Sequence, residues 1–277
     1  MQLLSQVSFI VNYAFFIIVF WLGLYIVLHN PRYPISWLTT LTLWSLAVLF
    51  LHFLVETTPG LTGSEQLEGS PWFQGLAVAP ALAFWHHTTM LLRPKRLNPW
   101  RKFRILSAYL MAILAVTAQA FHLIWITPPE CPLLLSCRTA GPLYPVFIAT
   151  YSIFFLASMI NLLRSARATP AALLRKQLLT LAYATLVAGL TVPAMMIGTL
   201  VSLPVPLLVN SLLLALTICV IGYGIARFSA LMEGRTIHKD FFYNLVMVVL
   251  IVVIYIPVCW FLAKGSRTPF QIIILIV

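Results

Sequence analysis

Acidic residues are scarce in this sequence: its 277 residues include only 6 Asp and Glu. Each of these falls in a predicted loop or at a predicted helix end, and none falls in the middle of an apolar segment. Ion-coupled pumps and proton relays keep carboxylates near the membrane midplane. Intramembrane prenyltransferases hold Mg²⁺ through clusters of Asp. The sequence therefore argues against both classes of protein.

Catalytic motifs are missing as well. The sequence has no Gly-rich phosphate loop, no nucleophile elbow, no zinc-binding helix motif and no Ser/His/Asp grouping that spacing supports. We therefore expect a chain that is not an enzyme in these 277 residues and that requires no cofactor.

Charged residues make up only 8% of the chain, hydrophobic residues make up 61%, and the mean hydropathy is +0.99. A soluble domain is excluded, because almost every window of about twenty residues is long and apolar enough to cross hydrocarbon. We predict an all-α polytopic transmembrane helix bundle of about eight to nine spans. The first eight are expected at Leu3 to His29, Ile35 to Val55, Phe73 to Leu92, Ile105 to Ile126, Leu143 to Leu163, Leu178 to Val201, Pro206 to Ala226, and Phe241 to Ala263.

The predicted spans fall into two parts. Residues 1–240 are expected to form a seven-helix membrane bundle, and residues 241–277 to add further transmembrane helices. The ninth span begins near Pro269 and has about nine residues before Val277, too few to cross a bilayer as a helix. The chain is thus expected either to end part-way into the membrane or to be the front of a longer protein.

The 17 Lys and Arg are unevenly distributed along the chain. All but Arg138, Lys264 and Arg267 fall at Arg32 or in the segments 93–104, 164–176 and 227–239, which alternate with the loops that carry Glu56, Glu65, Glu68 and Glu130. By the positive-inside rule the basic segments are cytoplasmic, so the N-terminus is predicted to lie outside. The net charge of +11 is then explained by the basic residues beside the spans, which meet anionic lipids of the inner leaflet. The sequence has no stripe of basic residues combined with aromatic platforms, which is the pattern that would indicate nucleic-acid binding.

Two of the four cysteines, Cys131 and Cys137, share one predicted outer loop. This face of the membrane is oxidising, so a disulfide between them is the favoured interpretation. The alternatives are two free thiols in a loop at the lipid interface, or a metal site. The metal site is the weaker of these, because no further Cys or His is near in sequence.

His52 and His122 lie near the outer ends of the second and fourth predicted helices, at similar depth. Such a pair can bind haem or a metal. However, Glu56 follows His52 by four residues and shares its helical face. We therefore favour interfacial histidines that make hydrogen bonds over a shared ligand site.

His86 and His87 lie near the inner end of the third predicted helix. Adjacent residues point about 100° apart on a helix, so at most one of them faces any given site. One of them is a candidate ligand for a pigment or cofactor. A hydrogen bond to a neighbouring helix is the favoured alternative.

The stretch from Gly222 to Asp240 contains, in order, Arg227-Phe228, Leu231, Arg235 and Lys239-Asp240. It resembles the exit from the seventh helix in the N-terminal seven-helix sensor regions of bacterial membrane histidine kinases. The resemblance loosely covers Met1 to about Asp240. It implies a bacterial inner (plasma) membrane location, a signal output through Arg227, Arg235, Lys239 and Asp240, and a cytoplasmic kinase domain that would lie beyond residue 277.

Taken together, these features predict a multi-pass sensory or signalling module, in which a ligand or a partner helix changes the packing of the bundle. Membrane lipids and other membrane proteins are the expected partners. The alternative is an accessory subunit of a larger respiratory or photosynthetic membrane complex, which would bind pigment, haem, quinone or lipid.

Overall fold

A computed structural model describes residues 2–29, 31–57, 72–92, 100–126, 135–136, 139–200, 205–206, 209, 211–216 and 218. All of them belong to one compact unit, and most of them are helical. The predicted disulfide of Cys131 and Cys137, the predicted output residues Arg227 to Asp240 and the spans predicted from Phe241 onward lie outside the described residues.

Six long helices account for most of the described chain. They are α1 (Gln2–His29), α2 (Pro34–Thr57), α3 (Trp72–Leu92), α4 (Arg101–Ala120), α5 (Tyr144–Ala168) and α6 (Ala172–Leu200). Four of these helices, α1, α2, α4 and α5, contain a segment long and apolar enough to cross a membrane. The helical fold class is therefore confirmed, and the apolar helices indicate a membrane protein.

Four two-residue strands lie between and after the later helices: β1 (Trp125–Ile126), β2 (Leu135–Ser136), β3 (Thr139–Ala140) and β4 (Val205–Pro206). β1 pairs with β3 and β2 pairs with β4, both antiparallel. Next to the first pair, Gly141 N–H donates to the Ile124 carbonyl at 2.8 Å. A Cβ at Gly141 would lie 2.5 Å from the Leu123 carbonyl oxygen, so this close crossing of the backbone requires glycine.

The helix α3 lies at the centre of the described bundle. It packs against α2, α4 and α5, while α1 packs on α2 and α6 packs on α5. Small residues make the contact between α3 and α4 close: Ala79 and Ala83 on α3 pack with Ala108 and Ala112 on α4. Small residues four apart let two membrane helices approach closely, and the gain is van der Waals contact.

A close approach also joins α1 to α2. The Thr40 hydroxyl donates to the Gly23 carbonyl at 2.8 Å, and the Trp44 indole N–H donates to the Phe20 carbonyl at 3.3 Å. A Cβ at Gly23 would lie 2.8 Å from the Trp44 indole nitrogen, which is shorter than a normal contact. Glycine at this position therefore allows α2 to reach the backbone of α1.

The prediction of one helix from Ile105 to Ile126 is wrong at its C-terminal end. Helix α4 ends at Ala120, and His122 adopts the left-handed conformation with φ 54°. The Leu123 N–H donates to the Ala118 carbonyl at 3.0 Å, and the His122 N–H donates to the Gln119 carbonyl at 2.9 Å. These two bonds form a Schellman motif, which ends the helix although the following residues are apolar.

The left-handed conformation of His122 leads to a stability prediction. A non-glycine residue in this conformation lowers the free energy of unfolding by roughly 1 kcal/mol relative to glycine, which adopts the conformation without strain. We expect His122→Gly to raise the free energy of unfolding by about 1 kcal/mol, and His122→Val to lower it by a similar amount. Unfolding of the purified protein by increasing SDS in mixed micelles measures both. Equal losses in the two variants would instead mean that the imidazole itself stabilises the fold.

Candidate functional site

The side chain of His86 joins α3 to α5. Its Nδ1 lies 3.0 Å from the Ser158 hydroxyl, and its ring meets the Phe154 ring edge-on with the centroids 5.2 Å apart. The Ser158 hydroxyl donates its single proton to the Phe154 carbonyl at 2.8 Å. Because that proton is already used, we assign the proton of the interhelical bond to His86 Nδ1. His86 and Ser158 are both fully buried, so the bond is protected from water.

The adjacent His87 joins α3 to a different helix. Its Nδ1 lies 3.0 Å from the Tyr109 hydroxyl on α4, and the two rings are perpendicular. Tyr109 also meets the edge of Phe84, one turn before His87, at 5.8 Å. Two neighbouring histidines thus bond to two different helices, because their side chains point about 100° apart around α3.

These two bonds also fix the relative directions of the three helices. His86 and His87 lie near the end of α3, Tyr109 in the first half of α4, and Ser158 in the second half of α5. α4 therefore runs antiparallel to α3, whereas α5 runs parallel to it. The basic residues at the start of α4 and at the end of α5 consequently lie at the same end of this three-helix group, namely Arg101, Lys102, Arg104, Arg164 and Arg167.

A cavity of about 410 Å³ lies between α4 and α5, and we call it the cleft. Both helices pack on α3, but among the described residues they make at most marginal contact with each other. The floor of the cleft is Ala79, Leu82 and Ala83 of α3. Its walls include Ala108, Met111, Ala112 and Ala115 of α4, and Phe147, Tyr151 and Phe154 of α5. Leu123 and Ile124 line the end next to β1.

The walls of the cleft are almost entirely apolar. Three lining residues carry hydroxyls: Thr117, Thr150 and Tyr151. The two threonines donate within their own helices, Thr117 to the Ile113 carbonyl at 2.9 Å and Thr150 to the Val146 carbonyl at 2.8 Å. A guest in the cleft therefore meets mostly carbon surface, and the two threonine hydroxyls are already engaged. This arrangement suits an apolar molecule and penalises a charged one.

The rim of the cleft opens sideways, away from the bundle interior. Four lining residues there are strongly exposed: Leu114 at 52%, Phe121 at 72%, Leu143 at 41% and Val146 at 57%. In a bilayer these side chains would face lipid tails. A molecule dissolved in the membrane could therefore enter the cleft without crossing water.

The remaining histidine candidates lie elsewhere. His52 is half-buried on α2, with its ring 6.2 Å from that of Phe53, and His122 is exposed beyond the end of α4. Among the described residues, no group of three or more His, Cys, Asp and Glu side chains could hold a metal ion. None of the four candidate histidines lines the cleft, but the partners of His86 and His87 lie on α5 and α4, the two helices that form its walls.

Sequence reasoning did not single out Tyr109, Ser158 or Phe154. A lone Tyr or Ser in an apolar segment carries no signal of its own, because its partner lies on another helix. One available signal was the pair of small-residue repeats, Ala79 with Ala83 and Ala108 with Ala112, which marks the surfaces where α3 and α4 meet.

Comparison with known proteins adds nothing to this geometry. No family model, curated protein or solved structure matches the chain. The resemblance to histidine kinase sensor regions therefore stays a prediction.

The two histidine bonds lead to a graded mutational prediction. Ser158→Ala leaves the buried His86 Nδ1–H without its acceptor, so we expect the free energy of unfolding to fall by about 1 to 3 kcal/mol. Tyr109→Phe removes the half-buried bond to His87 and should cost about 1 kcal/mol. Unfolding in mixed micelles with increasing SDS measures both changes.

A matched control for this series is Ser107→Ala, because the Ser107 hydroxyl donates to the Arg104 carbonyl on the exposed face of α4. This change should stay within about 0.5 kcal/mol of the parent. Losses of equal size in the Ser158 and Ser107 variants would contradict a specific interhelical role for His86.

Proposed function

We propose that this chain is a membrane-embedded sensory module that binds an uncharged, lipid-soluble molecule in the cleft between α4 and α5. The observation that carries the proposal is the cleft itself, a cavity of about 410 Å³ with apolar walls that opens sideways. Sites for small molecules in proteins have volumes of roughly 300 to 1,000 Å³ and are mostly apolar. The cleft falls within that range.

An occupant would connect two helices that otherwise hardly touch. A guest in the cleft would contact the aromatic rings of Phe147, Tyr151 and Phe154 on α5, and these contacts would gain dispersion energy. It would also contact the α4 wall at Met111 and Ala115. Its presence therefore favours one separation of the two helices, which is the differential affinity that a ligand needs to shift a conformational equilibrium.

The proposed route of the signal to the cytoplasm follows from the resemblance to sensor regions of histidine kinases. α5 packs against α6, so a shift of α5 would pass to α6 and onward along the chain. The proposed output residues are Arg227, Arg235, Lys239 and Asp240, which lie beyond the described helices. A kinase or other partner in the cytoplasm would then respond to the change.

The finer topology also belongs to the proposal: eight to nine spans, the N-terminus outside, and a bacterial inner membrane as the location. The grouping of basic residues at one end of α3, α4 and α5 supports it, because the positive-inside rule applies to such an end. At the opposite end of the same helices, Trp125 and Tyr144 are in edge-on contact at 5.8 Å, but both are buried and pack inside the protein.

A specific observation also favours the second candidate, an accessory subunit of a larger membrane complex. Phe103, Leu106, Leu110 and Ile113 are all more than half exposed and form one stripe along α4, at spacings of three and four residues. Such a stripe can pack against a helix of another subunit. Copurification with electron-transfer subunits at fixed stoichiometry would favour this function over the sensor.

A substitution that fills the cleft tests the proposed ligand site. Ala115→Trp places an indole in the cleft, whereas Ala149→Trp places the same group on the exposed face of α5, outside the cleft. We expect the protein purified with native lipids to carry a small apolar molecule, and Ala115→Trp to reduce its amount by roughly tenfold. Native mass spectrometry of detergent-released protein measures the bound mass.

The Ala149→Trp variant should retain the bound molecule, since its indole faces lipid. Two results would contradict the ligand site: a parent protein that carries no small molecule, or equal retention by both variants. Equal losses in both variants would also contradict it, because they would indicate a general effect of the added indole.

The proposed orientation makes a separate prediction. In a background without the native cysteines, His122→Cys should react with a membrane-impermeant maleimide added to intact cells, and Arg167→Cys should react only after lysis. Both positions are exposed and lie at opposite ends of the antiparallel pair α4 and α5. The reverse labelling pattern would place the N-terminus in the cytoplasm.

A further inference from the structure

A second, smaller cavity lies inside the bundle. It has a volume of about 60 Å³ and is bounded by α2, α3, α5 and α6 together with Leu214 and Ile218, and we call it the inner cavity. Thr39 and Thr42 of α2, Trp85 of α3 and Phe155 of α5 are among its lining residues. A single water needs roughly 10 to 15 Å³ of such space. The inner cavity therefore has room for several non-hydrogen atoms.

Two buried polar atoms on residues of this cavity lack hydrogen bonds. Thr39 Oγ1 and Trp85 Nε1 have no partner in the described structure, and their side chains are only 1% and 3% exposed. The neighbouring hydroxyls of α2 are satisfied, since Thr40 donates to the Gly23 carbonyl and Thr42 to the Leu38 carbonyl, each at 2.8 Å. A buried unpaired donor is unfavourable, so these two atoms favour a guest that supplies an oxygen.

The inner cavity adjoins the cleft. Leu82 of α3 and Tyr151 of α5 line both spaces, so their side chains form the wall between them. Leucine has several accessible rotamers, so we infer that a change of the Leu82 rotamer lets a guest extend from the cleft into the inner cavity. A long molecule in the cleft can thus reach past this wall towards Thr39 and Trp85.

We propose that the inner cavity binds the uncharged oxygen head group of the molecule whose apolar body lies in the cleft. The inference rests on the proposed function of the cleft and adds the chemical class of its ligand: a ketone, quinone or alcohol with a long apolar tail. The Trp85 indole can only donate, and the Thr39 hydroxyl can also donate, so both suit a carbonyl or hydroxyl oxygen. The described residues of the inner cavity include no charged side chain, which disfavours a carboxylate or phosphate.

A pair of probes with the same tail tests the head-group site. The full chain in nanodiscs is equilibrated with 2-heptadecanone or with heptadecane, and the bound amount is measured by gas chromatography and mass spectrometry against protein-free nanodiscs. We expect the parent protein to bind the ketone more tightly than the hydrocarbon. Thr39→Val should weaken ketone binding by about fivefold to tenfold, the range for one hydrogen bond, and leave hydrocarbon binding unchanged.

The matched control is Thr42→Val. Thr42 lines the same cavity three residues further along α2, but its hydroxyl already donates to the Leu38 carbonyl, so ketone binding should stay as in the parent. Trp85→Phe removes the second donor and should also weaken ketone binding selectively. It serves as an independent variant should the Thr39 change disturb folding.

Three results would overturn the inference. Equal binding of ketone and hydrocarbon, with both lost in Ala115→Trp, would remove the head-group site while the cleft remains a ligand site. Equal weakening of ketone binding in the Thr39 and Thr42 variants would also remove it, because it would indicate a loss of packing. Enrichment of neither probe by the parent protein would overturn the proposed function and this inference together.

Discussion

The arrangement of this bundle depends on one constraint: a polar side chain inside hydrocarbon must find its hydrogen-bond partner within the protein. His86 and His87 meet that constraint in two directions, towards Ser158 on α5 and towards Tyr109 on α4. Because the two bonds diverge around α3, they hold α4 and α5 on different faces of that helix. The cleft is the space that this divergence leaves between them.

Packing around α3 reinforces the same geometry. Alanines at Ala79, Ala83, Ala108 and Ala112 bring α4 close to α3, whereas the large ring of Phe154 lies between α5 and the cleft. The alanine side chains let α3 and α4 come into close contact, but they are too small to fill the space beside that interface. The aromatic rings of α5 border this space on one side only and leave part of it open. An apolar guest would complete the packing. The unpaired donors of Thr39 and Trp85 behind Leu82 add a polar end to this otherwise apolar space.

The sequence predicted the helices well where hydropathy alone decides them, as the agreement of Leu3 to His29 with α1 (Gln2–His29) shows. It failed at the end of α4, since the Schellman motif at His122 depends on local hydrogen bonds that hydropathy does not register. The divergence of His86 and His87 follows from helix geometry and was predictable. Their partners were not, because a sequence does not state which apolar helices become neighbours. The cleft was hidden for the same reason: it exists only through the relative placement of three helices.

The most direct test of the central claim is electron cryomicroscopy of the protein extracted together with its native lipids. The account predicts that α4 and α5 stay apart above Ala79 and Ala83, with continuous elongated density between them that runs from the rim towards Leu82. A map in which α4 packs directly against α5 and closes the cleft would contradict it.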